Sequence, residues 1–216
     1  MAGAMDTEAP NLWPPESAIP GFRSAMEQYW AKSLGIALQV LTALEVGMDL
    51  PPGSLAGRCD GCESEIRMNH YPAAPIEQLR KENVMRIWPH TDAGVITLLV
   101  QDANGGLEIE DQTAPGTFNP LPMTDRAELI VNGGEALERW TNGILRPGLH
   151  QVNVPSHFMD SGSSTVPSRH SVAFFVYAKR ETSMAPLKKF LSDGEVSKFP
   201  DMTSREYHKL RNGVVY

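Results

Sequence analysis

The sequence predicts a mainly β fold, a β-sandwich or jelly roll with helical cover. Three observations support this prediction: one long amphipathic helix near the N-terminus, a series of short apolar segments after residue 60, and turns that contain Gly and Pro between those segments. A chain of 216 residues is long enough for one domain with a substantial core.

The long helix is predicted to begin at Phe22 and to continue for about 25 residues, because apolar residues recur there at steps of three and four positions. These residues are Phe22, Met26, Trp30, Leu34, Leu38, Leu41, Leu44 and Met48. Pro51, Pro52 and Gly53 follow and end the helix. Because the apolar face is wide, we expect the helix to lie across a sheet.

Six short segments are predicted as strands because they are apolar and lie between turn signals. They are Ile66–Tyr71, Val95–Gln101, Leu107–Glu110, Glu128–Asn132, His150–Val154 and Ser171–Tyr177. A further helix is predicted over residues 204–210. Residues 1–19, rich in Pro, Ala and acidic side chains, are expected to form an extended lead-in, so that residues 20–216 form the domain.

Composition argues against several classes of protein. The net charge is −7, and no stretch gathers enough Lys or Arg to follow a nucleic-acid backbone. The sequence contains no apolar run of about 18 residues, so it predicts no transmembrane helix. The acidic N-terminus does not have the pattern of a signal peptide. Two cysteines cannot form a disulfide framework, which favours a reducing compartment and a cytoplasmic location.

A candidate metal site is formed by His90, Asp92 and His150. Residues two apart in an extended segment point to the same face, so His90 and Asp92 can reach one metal ion. His150 follows a turn at the start of a predicted strand and is the best third ligand. Two imidazoles and one carboxylate leave coordination positions open, as non-haem Fe(II) requires. The alternative is that His90 and Asp92 cap a turn and that His150 is an ordinary buried histidine.

A candidate anion site lies at Arg169 and Ser171. Both residues share one face of a strongly apolar predicted strand. A guanidinium group binds a carboxylate at two points, and a hydroxyl adds another donor, so the pair suits the far end of a dicarboxylic acid. The alternative is a strand edge whose Arg points to solvent.

Cys59 and Cys62 have the spacing of some zinc and redox sites. The sequence has no second cysteine pair, which excludes a four-cysteine zinc site. We therefore expect an exposed loop at these positions.

The motifs together resemble the Fe(II)/2-oxoglutarate-dependent dioxygenases of the isopenicillin N synthase-like family. The matching pieces occur in family order over roughly residues 20 to 180. They are Asn69-His70-Tyr71-Pro72, His90-Thr91-Asp92, Gly105-Gly106-Leu107, Trp140-Thr141-Asn142-Gly143, His150 and Arg169-His170-Ser171. This joint match is much more specific than any one motif.

The resemblance implies a double-stranded β-helix, a cupin-like jelly roll whose mouth holds the metal. It implies that His90, Asp92 and His150 are the ligands of Fe(II). Enzymes of this family use oxygen and 2-oxoglutarate to hydroxylate or otherwise oxidise a small molecule, and they release succinate and carbon dioxide. Ascorbate is an expected stimulant.

The resemblance also implies a site for the co-substrate. Arg169 and Ser171 would bind the distal carboxylate of 2-oxoglutarate, with Tyr71 and Asn69 as further hydrogen-bond partners. The chain departs from the family pattern at Gln151, where an Arg is usual, and at Glu135, where an Asp is usual.

The family's N-terminal region has no counterpart ahead of the matching motifs, so we expect apolar surface that a second copy of the chain could bury in a homodimer. Two other functions remain open. One is a cupin-like hydrolase or isomerase that uses zinc or another divalent ion at the same triad. The other is a catalytically incomplete binding protein. The pairing of Arg169 with Ser171 favours the oxygenase, because the hydrolase has no need of it.

Overall fold

A computed structural model describes residues 10–61, 63–81, 85–121, 128–155, 157–158, 162–192 and 194–213. Its helices are α1 (Phe22–Gly47), α2 (Ala56–Cys59), α3 (Ile76–Lys81), α4 (Glu135–Trp140) and α5 (Ser204–Gly213), with a 3-10 turn at Lys188–Phe190. Its strands are β1 (Glu65–Tyr71), β2 (Ala74–Pro75), β3 (Ile87–His90), β4 (Ile96–Gln101), β5 (Leu107–Glu110), β6 (Phe118–Pro120), β7 (Ile130–Gly133), β8 (His150–Val152), β9 (Thr165–Val166) and β10 (Arg169–Val176).

Two four-stranded antiparallel sheets form the body of the protein. The first sheet has the order β1-β10-β4-β7 and the second sheet has the order β3-β8-β5-β6, while β2 and β9 form a separate pair. Strands that are distant in the sequence are therefore neighbours in space, as in a jelly roll. The predicted fold, a double-stranded β-helix with helical cover, is confirmed.

Helix α1 packs against the outer face of the first sheet. Leu41 of the helix and Phe174 of β10 are fully buried in the same hydrophobic core. The Trp30 ring meets Phe174 edge to face at 6.2 Å, and its indole N–H donates to the carbonyl of Ser64 at 2.9 Å. The helix thus lies across a sheet, as predicted. Full burial of a Leu or Phe side chain contributes about 1.5–3 kcal/mol.

The turn after α1 is closed by a buried carboxylate, Glu45. It accepts backbone N–H bonds from Gly53 at 2.9 Å, Leu55 at 2.6 Å and Ala56 at 2.7 Å. Burial alone would raise the pKa of Glu45, but the three N–H donors outweigh it and the pKa lies below the ordinary value. Glu45 therefore holds the start of α2 against the end of α1.

Some local predictions need correction. The strand predicted at Glu128–Asn132 lies at Ile130–Gly133, and several short elements escaped prediction (β2, β6, β9 and helices α2 to α4) because they are too short to show a period. Cys59 is fully buried in α2, so the expectation of an exposed loop is wrong for this residue. Cys62 lies outside the described residues.

The predicted lead-in is described only in part. Residues 1–9 lie outside the described ranges, and residues 10–19 contain no helix or strand. The Trp13 ring contacts Phe22 at the start of α1, with ring centroids 6.2 Å apart. The division into a lead-in and a domain stays a prediction. Within the described residues, we find no helix with the length and apolar character needed to cross a membrane.

Candidate active site

A cavity of about 290 Å³ lies between the two sheets. Polar side chains from both sheets and from the loop after β3 face it. They are Asn69, Tyr71, His90, Asp92, Thr97, Asn132, His150, Arg169 and Ser171. The rest of the lining is apolar, so the polar groups are concentrated in a few positions. Such a cavity is the usual form of a small-molecule site.

The three predicted metal ligands converge at this cavity. His90 is the last residue of β3 and His150 is the first residue of β8. The two residues lie opposite each other on these paired strands of the second sheet. Asp92 follows β3 in the loop that leads to the first sheet. One ligand atom from each residue lies within 4.8 Å of the others, and His150 Nε2 is 3.9 Å from Asp92 Oδ1. The arrangement is that of a two-histidine, one-carboxylate metal site.

Backbone carbonyls fix which nitrogen of each histidine can bind metal. His90 Nδ1 is 2.9 Å from the carbonyl of Trp88, and His150 Nδ1 is 2.8 Å from the carbonyl of Gly148. Because a carbonyl only accepts, both Nδ1 atoms carry the proton and both Nε2 atoms keep a free lone pair. Burial, with the neighbouring His150, lowers the pKa of His90 and favours its neutral, metal-binding form.

Asp92 is oriented by the first sheet. Its Oδ2 accepts from Thr97 Oγ1 at 2.8 Å and from Asn132 Nδ2 at 3.0 Å, which leaves Oδ1 on the side of His150. A Cβ at position 148 would overlap the Asn132 side-chain oxygen, so any larger residue than glycine there would displace the group that orients Asp92. Asn132 of the first sheet thus contacts both Asp92 and the segment that leads into His150.

Arg169 is held in a fixed position inside the cavity and is only 1% exposed. It donates to the carbonyl of Gly105 at 2.8 Å, to Gln101 Oε1 at 2.7 Å and to Ser171 Oγ at 3.3 Å. Burial lowers its pKa, yet arginine remains a cation in proteins. These three hydrogen bonds go to neutral groups, and although Tyr71 and the nearby carboxylate of Asp102 partly offset the burial, a buried positive charge that lines the cavity favours a directly bound anion.

Tyr71 and Asn69 lie beside Arg169 and Ser171. Asn69 Nδ2 donates to Ser171 Oγ at 3.4 Å, and the Tyr71 ring lies 4.9 Å from the guanidinium carbon of Arg169. A second guanidinium, that of Arg86, lies 5.9 Å from the same ring. All seven predicted site residues therefore line one cavity, and their individual roles remain predictions.

Sequence reasoning missed Thr97, Gln101 and Asn132, which support the site from the first sheet. Thr97 and Gln101 are buried polar residues on one face of the otherwise apolar strand β4, and that contrast is the signal that could have revealed them. Four residues of extended strand separate them by roughly 13 Å. Since Thr97 contacts Asp92 and Gln101 contacts Arg169, the metal end and the anion end lie apart along the same strand.

The presence of Gln151, where the family usually has an Arg, does not alter the three candidate metal ligands. Gln151 is buried on β8, and its Nε2 donates to Glu108 Oε2 on the neighbouring strand β5 at 2.6 Å. The donor set of two neutral imidazoles and one carboxylate fits Fe(II), which tolerates mixed nitrogen and oxygen ligands with open positions.

Known proteins resemble this chain in sequence over nearly its whole length. The 2-oxoglutarate-dependent dioxygenase ecdK of Aspergillus rugulosus is 46% identical over 213 residues, which cover 99% of this chain and 64% of that protein. The proline hydroxylase buaE of Petromyces alliaceus is 41% identical over 206 residues, 94% of this chain and 62% of that protein. The chain spans less than two thirds of the length of these relatives.

Solved structures of known proteins also resemble this chain. The full-length thymine 7-hydroxylase of Neurospora crassa, in complex with 2-oxoglutarate, matches with a TM-score of 0.90 and 26% identity over 100% of this chain and 64% of that chain. The sequence also resembles a fungal thymine 7-hydroxylase at Arg67-Met68-Asn69-His70-Tyr71-Pro72 and at residues 207–216.

A family model describes more than half of the chain. The model of the 2OG-Fe(II) oxygenase superfamily matches residues 62–177, the range that contains His90, Asp92, His150, Arg169 and Ser171. Fe(II) and 2-oxoglutarate are the cofactor and co-substrate that this membership supports. The chain belongs to the 2OG-Fe(II) oxygenase superfamily.

Proposed function

We propose that this protein is an Fe(II)- and 2-oxoglutarate-dependent oxygenase that hydroxylates or otherwise oxidises a small organic molecule. The observation that carries the proposal is the meeting, in one cavity, of a two-histidine, one-carboxylate triad with a buried arginine. The first group suits a metal with open coordination positions, and the second suits the far carboxylate of a dicarboxylic acid.

Each of the seven predicted site residues has a defined task in this proposal. His90, Asp92 and His150 hold Fe(II), which when bound supplies the oxygen chemistry. Arg169 pairs with the distal carboxylate of 2-oxoglutarate, while Ser171 donates a hydrogen bond from the same strand. Asn69 and Tyr71 confine the co-substrate from β1, and Asn69 also orients the Ser171 hydroxyl.

The apolar lining is the proposed contact surface for the substrate. Ile87 and Val152 come from the second sheet, and Leu99, Ile130 and Phe175 come from the first sheet. These side chains exclude water and bind the apolar parts of a small molecule. The substrate class is therefore a small organic molecule with a substantial apolar surface.

The buried arginine favours an oxygenase over a metal-dependent hydrolase or isomerase. A hydrolase needs a metal and a water molecule at the triad, and it gains nothing from a desolvated cation elsewhere in the cavity. Asp102 acts on Arg169 electrostatically, but the hydrogen bonds of the guanidinium go to Gly105, Gln101 and Ser171, so a carboxylate in the cavity would supply the direct anionic partner that a buried charge favours. The same argument favours a competent co-substrate site over a catalytically incomplete binding protein.

The test is turnover of 2-oxoglutarate by the purified protein. Oxygen consumption and succinate release are measured with Fe(II), ascorbate and 2-oxoglutarate, with and without a panel of small molecules. We expect succinate to form only when Fe(II) and 2-oxoglutarate are both present, and to be lost in His150→Ala. Hydrolysis of an ester or amide substrate by the zinc-loaded protein, with no 2-oxoglutarate turnover, would contradict the proposal.

We further propose a cytoplasmic location and a homodimer. The two-cysteine composition supports a reducing compartment, and exposed apolar side chains such as Met68 (54% exposed) and Val131 (47% exposed) support a partner surface. Light scattering on the purified protein measures the dimer, and fluorescence imaging of the tagged chain measures the location.

A further inference from the structure

The C-terminal helix α5 reaches the metal-binding loop through one carboxylate, Glu135. This residue begins α4, and its side chain is 14% exposed. Glu135 accepts hydrogen bonds from Thr91 Oγ1 at 2.5 Å, from the Tyr207 hydroxyl, and from Arg211 Nη2 at 2.8 Å. Tyr207 and Arg211 both belong to α5. One carboxylate thus connects α5 to a residue that lies between two candidate metal ligands.

Thr91 is placed so that its contact with Glu135 constrains both neighbours. His90 precedes it and Asp92 follows it. The backbone of α4 grips the same loop, because the N–H of Glu135 donates to the carbonyl of Asp92 at 2.8 Å. Gly134 permits this close approach, since a Cβ there would overlap backbone oxygens of Gly94 and Asp92. The loop is therefore fixed by a side-chain bond and by a backbone bond from one residue.

Helix α5 is firmly docked where it meets Glu135. Tyr207 is 9% exposed, and the guanidinium carbon of Arg139 lies 4.9 Å from its ring. Arg139 also donates to the carbonyl of Pro200 at 2.5 Å. Burial, together with the hydrogen bond to Glu135, raises the pKa of Tyr207, so its hydroxyl stays protonated and donates. The contact is a stable part of the fold.

The length of the side chain at position 135 matters for this arrangement. The family that this sequence resembles usually has Asp at this position, and Glu is longer by one methylene group. The longer side chain lets one carboxylate meet Thr91 and two residues of α5 at the same time. Glu135, Tyr207 and Arg211 therefore act as one unit.

We propose that Glu135 is a positioning residue of the metal site and that α5, through Tyr207 and Arg211, holds Glu135 in place, so that the docking of α5 sets the affinity for the metal. This inference rests on the proposed function of the triad. Residues that hydrogen-bond directly to a metal ligand typically change metal affinity by about 10–100-fold when they are lost, and we expect the lower end of this range here because Glu135 acts through Thr91 and the backbone of Asp92.

The test is a titration of Co(II), a spectroscopic substitute for Fe(II), into the metal-free protein. Tyr207→Phe removes only the hydroxyl that donates to Glu135. Tyr29→Phe is the matched control, because Tyr29 packs against the core from α1. We expect the dissociation constant for Co(II) to rise about tenfold in Tyr207→Phe and to stay at the wild-type value in Tyr29→Phe.

Two further measurements separate positioning from a purely structural role. The Tm of each metal-free variant is recorded, and the double variant Glu135→Gln/Tyr207→Phe is compared with the single variants. If the residues act as one unit, Tyr207→Phe should add little to Glu135→Gln. A lower Tm with an unchanged dissociation constant would overturn the inference, as would full additivity of the two substitutions.

The wild type and His150→Ala provide the remaining comparison. If both bind Co(II) equally well, the triad is not the metal site, and both the proposed function and this inference are wrong. If the wild type binds Co(II) through the triad and Tyr207→Phe binds it equally well, only this inference is wrong.

Discussion

The two sheets that enclose the cavity orient their polar residues by different means. In the second sheet, His90 and His150 each bond to a backbone carbonyl two residues earlier in the chain. In the first sheet, Arg169 bonds to Gly105 and Gln101, which lie 64 and 68 positions away. The orientation of the two histidines thus depends on local backbone geometry, whereas Arg169 depends on segments that are brought together only by the fold.

The largest expected effect is on metal affinity and comes from removing one of the three candidate metal ligands. Asp92→Ala removes the carboxylate ligand, and we expect metal affinity to fall by on the order of 4 kcal/mol, roughly a thousandfold, if each ligand carries a similar share of a typical site's binding energy. Co(II) titration measures this. Asp111→Asn, which alters a carboxylate that caps an exposed turn, is the control and should bind like the wild type. Similar affinity in the two variants would remove Asp92 from the site.

The next effect separates the anion end from the metal end. Arg169→Ala leaves the distal carboxylate of 2-oxoglutarate unpaired in a buried position, at a cost of about 2–5 kcal/mol, or a thirtyfold or greater loss of affinity. Metal binding should survive, because no ligand of the triad is changed. Titration of 2-oxoglutarate into the Fe(II) protein, followed by its metal-to-ligand absorption band, measures the affinity.

Two controls accompany this measurement. Arg23→Ala removes an exposed arginine that pairs with Glu27 on α1, and it should bind 2-oxoglutarate like the wild type. Arg169→Lys keeps the charge but loses the planar fork, so its affinity should fall between wild type and Arg169→Ala. Equal affinities for wild type and Arg169→Ala would contradict the assignment of Arg169 to the co-substrate site.

A smaller effect tests the link between the two sheets. Thr97→Val keeps the shape of the side chain but removes the hydroxyl that donates to Asp92 Oδ2. We expect about a tenfold loss of metal affinity, because the remaining bond from Asn132 still orients the carboxylate. Affinity for 2-oxoglutarate, measured at saturating metal, should stay near the wild-type value. An effect as large as that of Asp92→Ala would show that Thr97 does more than orient the ligand.

The smallest effect on the cavity is expected from Glu45, which lies near the end of α1 and is not among the residues that line the cavity. Glu45→Gln weakens three backbone bonds and should lower the free energy of unfolding by about 1–3 kcal/mol near neutral pH. Glu27→Gln, on the exposed face of the same helix, should change it by less than about 1 kcal/mol. Neither variant should alter the binding of metal or 2-oxoglutarate.

The pH dependence of Glu45 follows from its lowered pKa. A carboxyl group whose folded pKa lies below its unfolded value stabilises the fold above that unfolded value, 4.5, and loses this contribution as the pH falls toward the folded pKa. The difference in stability between wild type and Glu45→Gln should therefore shrink below pH 4.5. Urea unfolding at several pH values measures it, and a constant difference would argue against a charged Glu45.

The same contrast between local and distant contacts explains what the sequence could predict. His90 and Asp92 are two residues apart in an extended segment, so their shared face was visible before any fold was known. Helix α1 was equally clear, because its apolar face repeats over many turns. The placement of Arg169 next to Gln101 depends on the pairing of β10 with β4, which no local pattern encodes.

The supporting residues were hidden for the same physical reason. Nothing in the local sequence shows that Asn132 will reach Asp92, or that Tyr207 will reach Glu135, because each pair meets only after the chain has folded. The family resemblance predicted 2-oxoglutarate as the ligand of Arg169 and Ser171, yet it did not indicate Thr97 or Gln101. Short elements such as β9 escaped prediction because two residues cannot show a periodic pattern.

The two residues whose carbonyls bond to His90 and His150 differ in how freely they can be replaced. Any residue at position 88 offers the same carbonyl to His90, and the Trp88 side chain is 58% exposed, so evolution can exchange it while the imidazole keeps its orientation. Position 148 is more restricted, because the Asn132 side chain occupies the space of a Cβ and would have to move. One ligand of the triad thus lies beside a position open to change, and the other follows a glycine whose replacement would displace the side chain that orients Asp92.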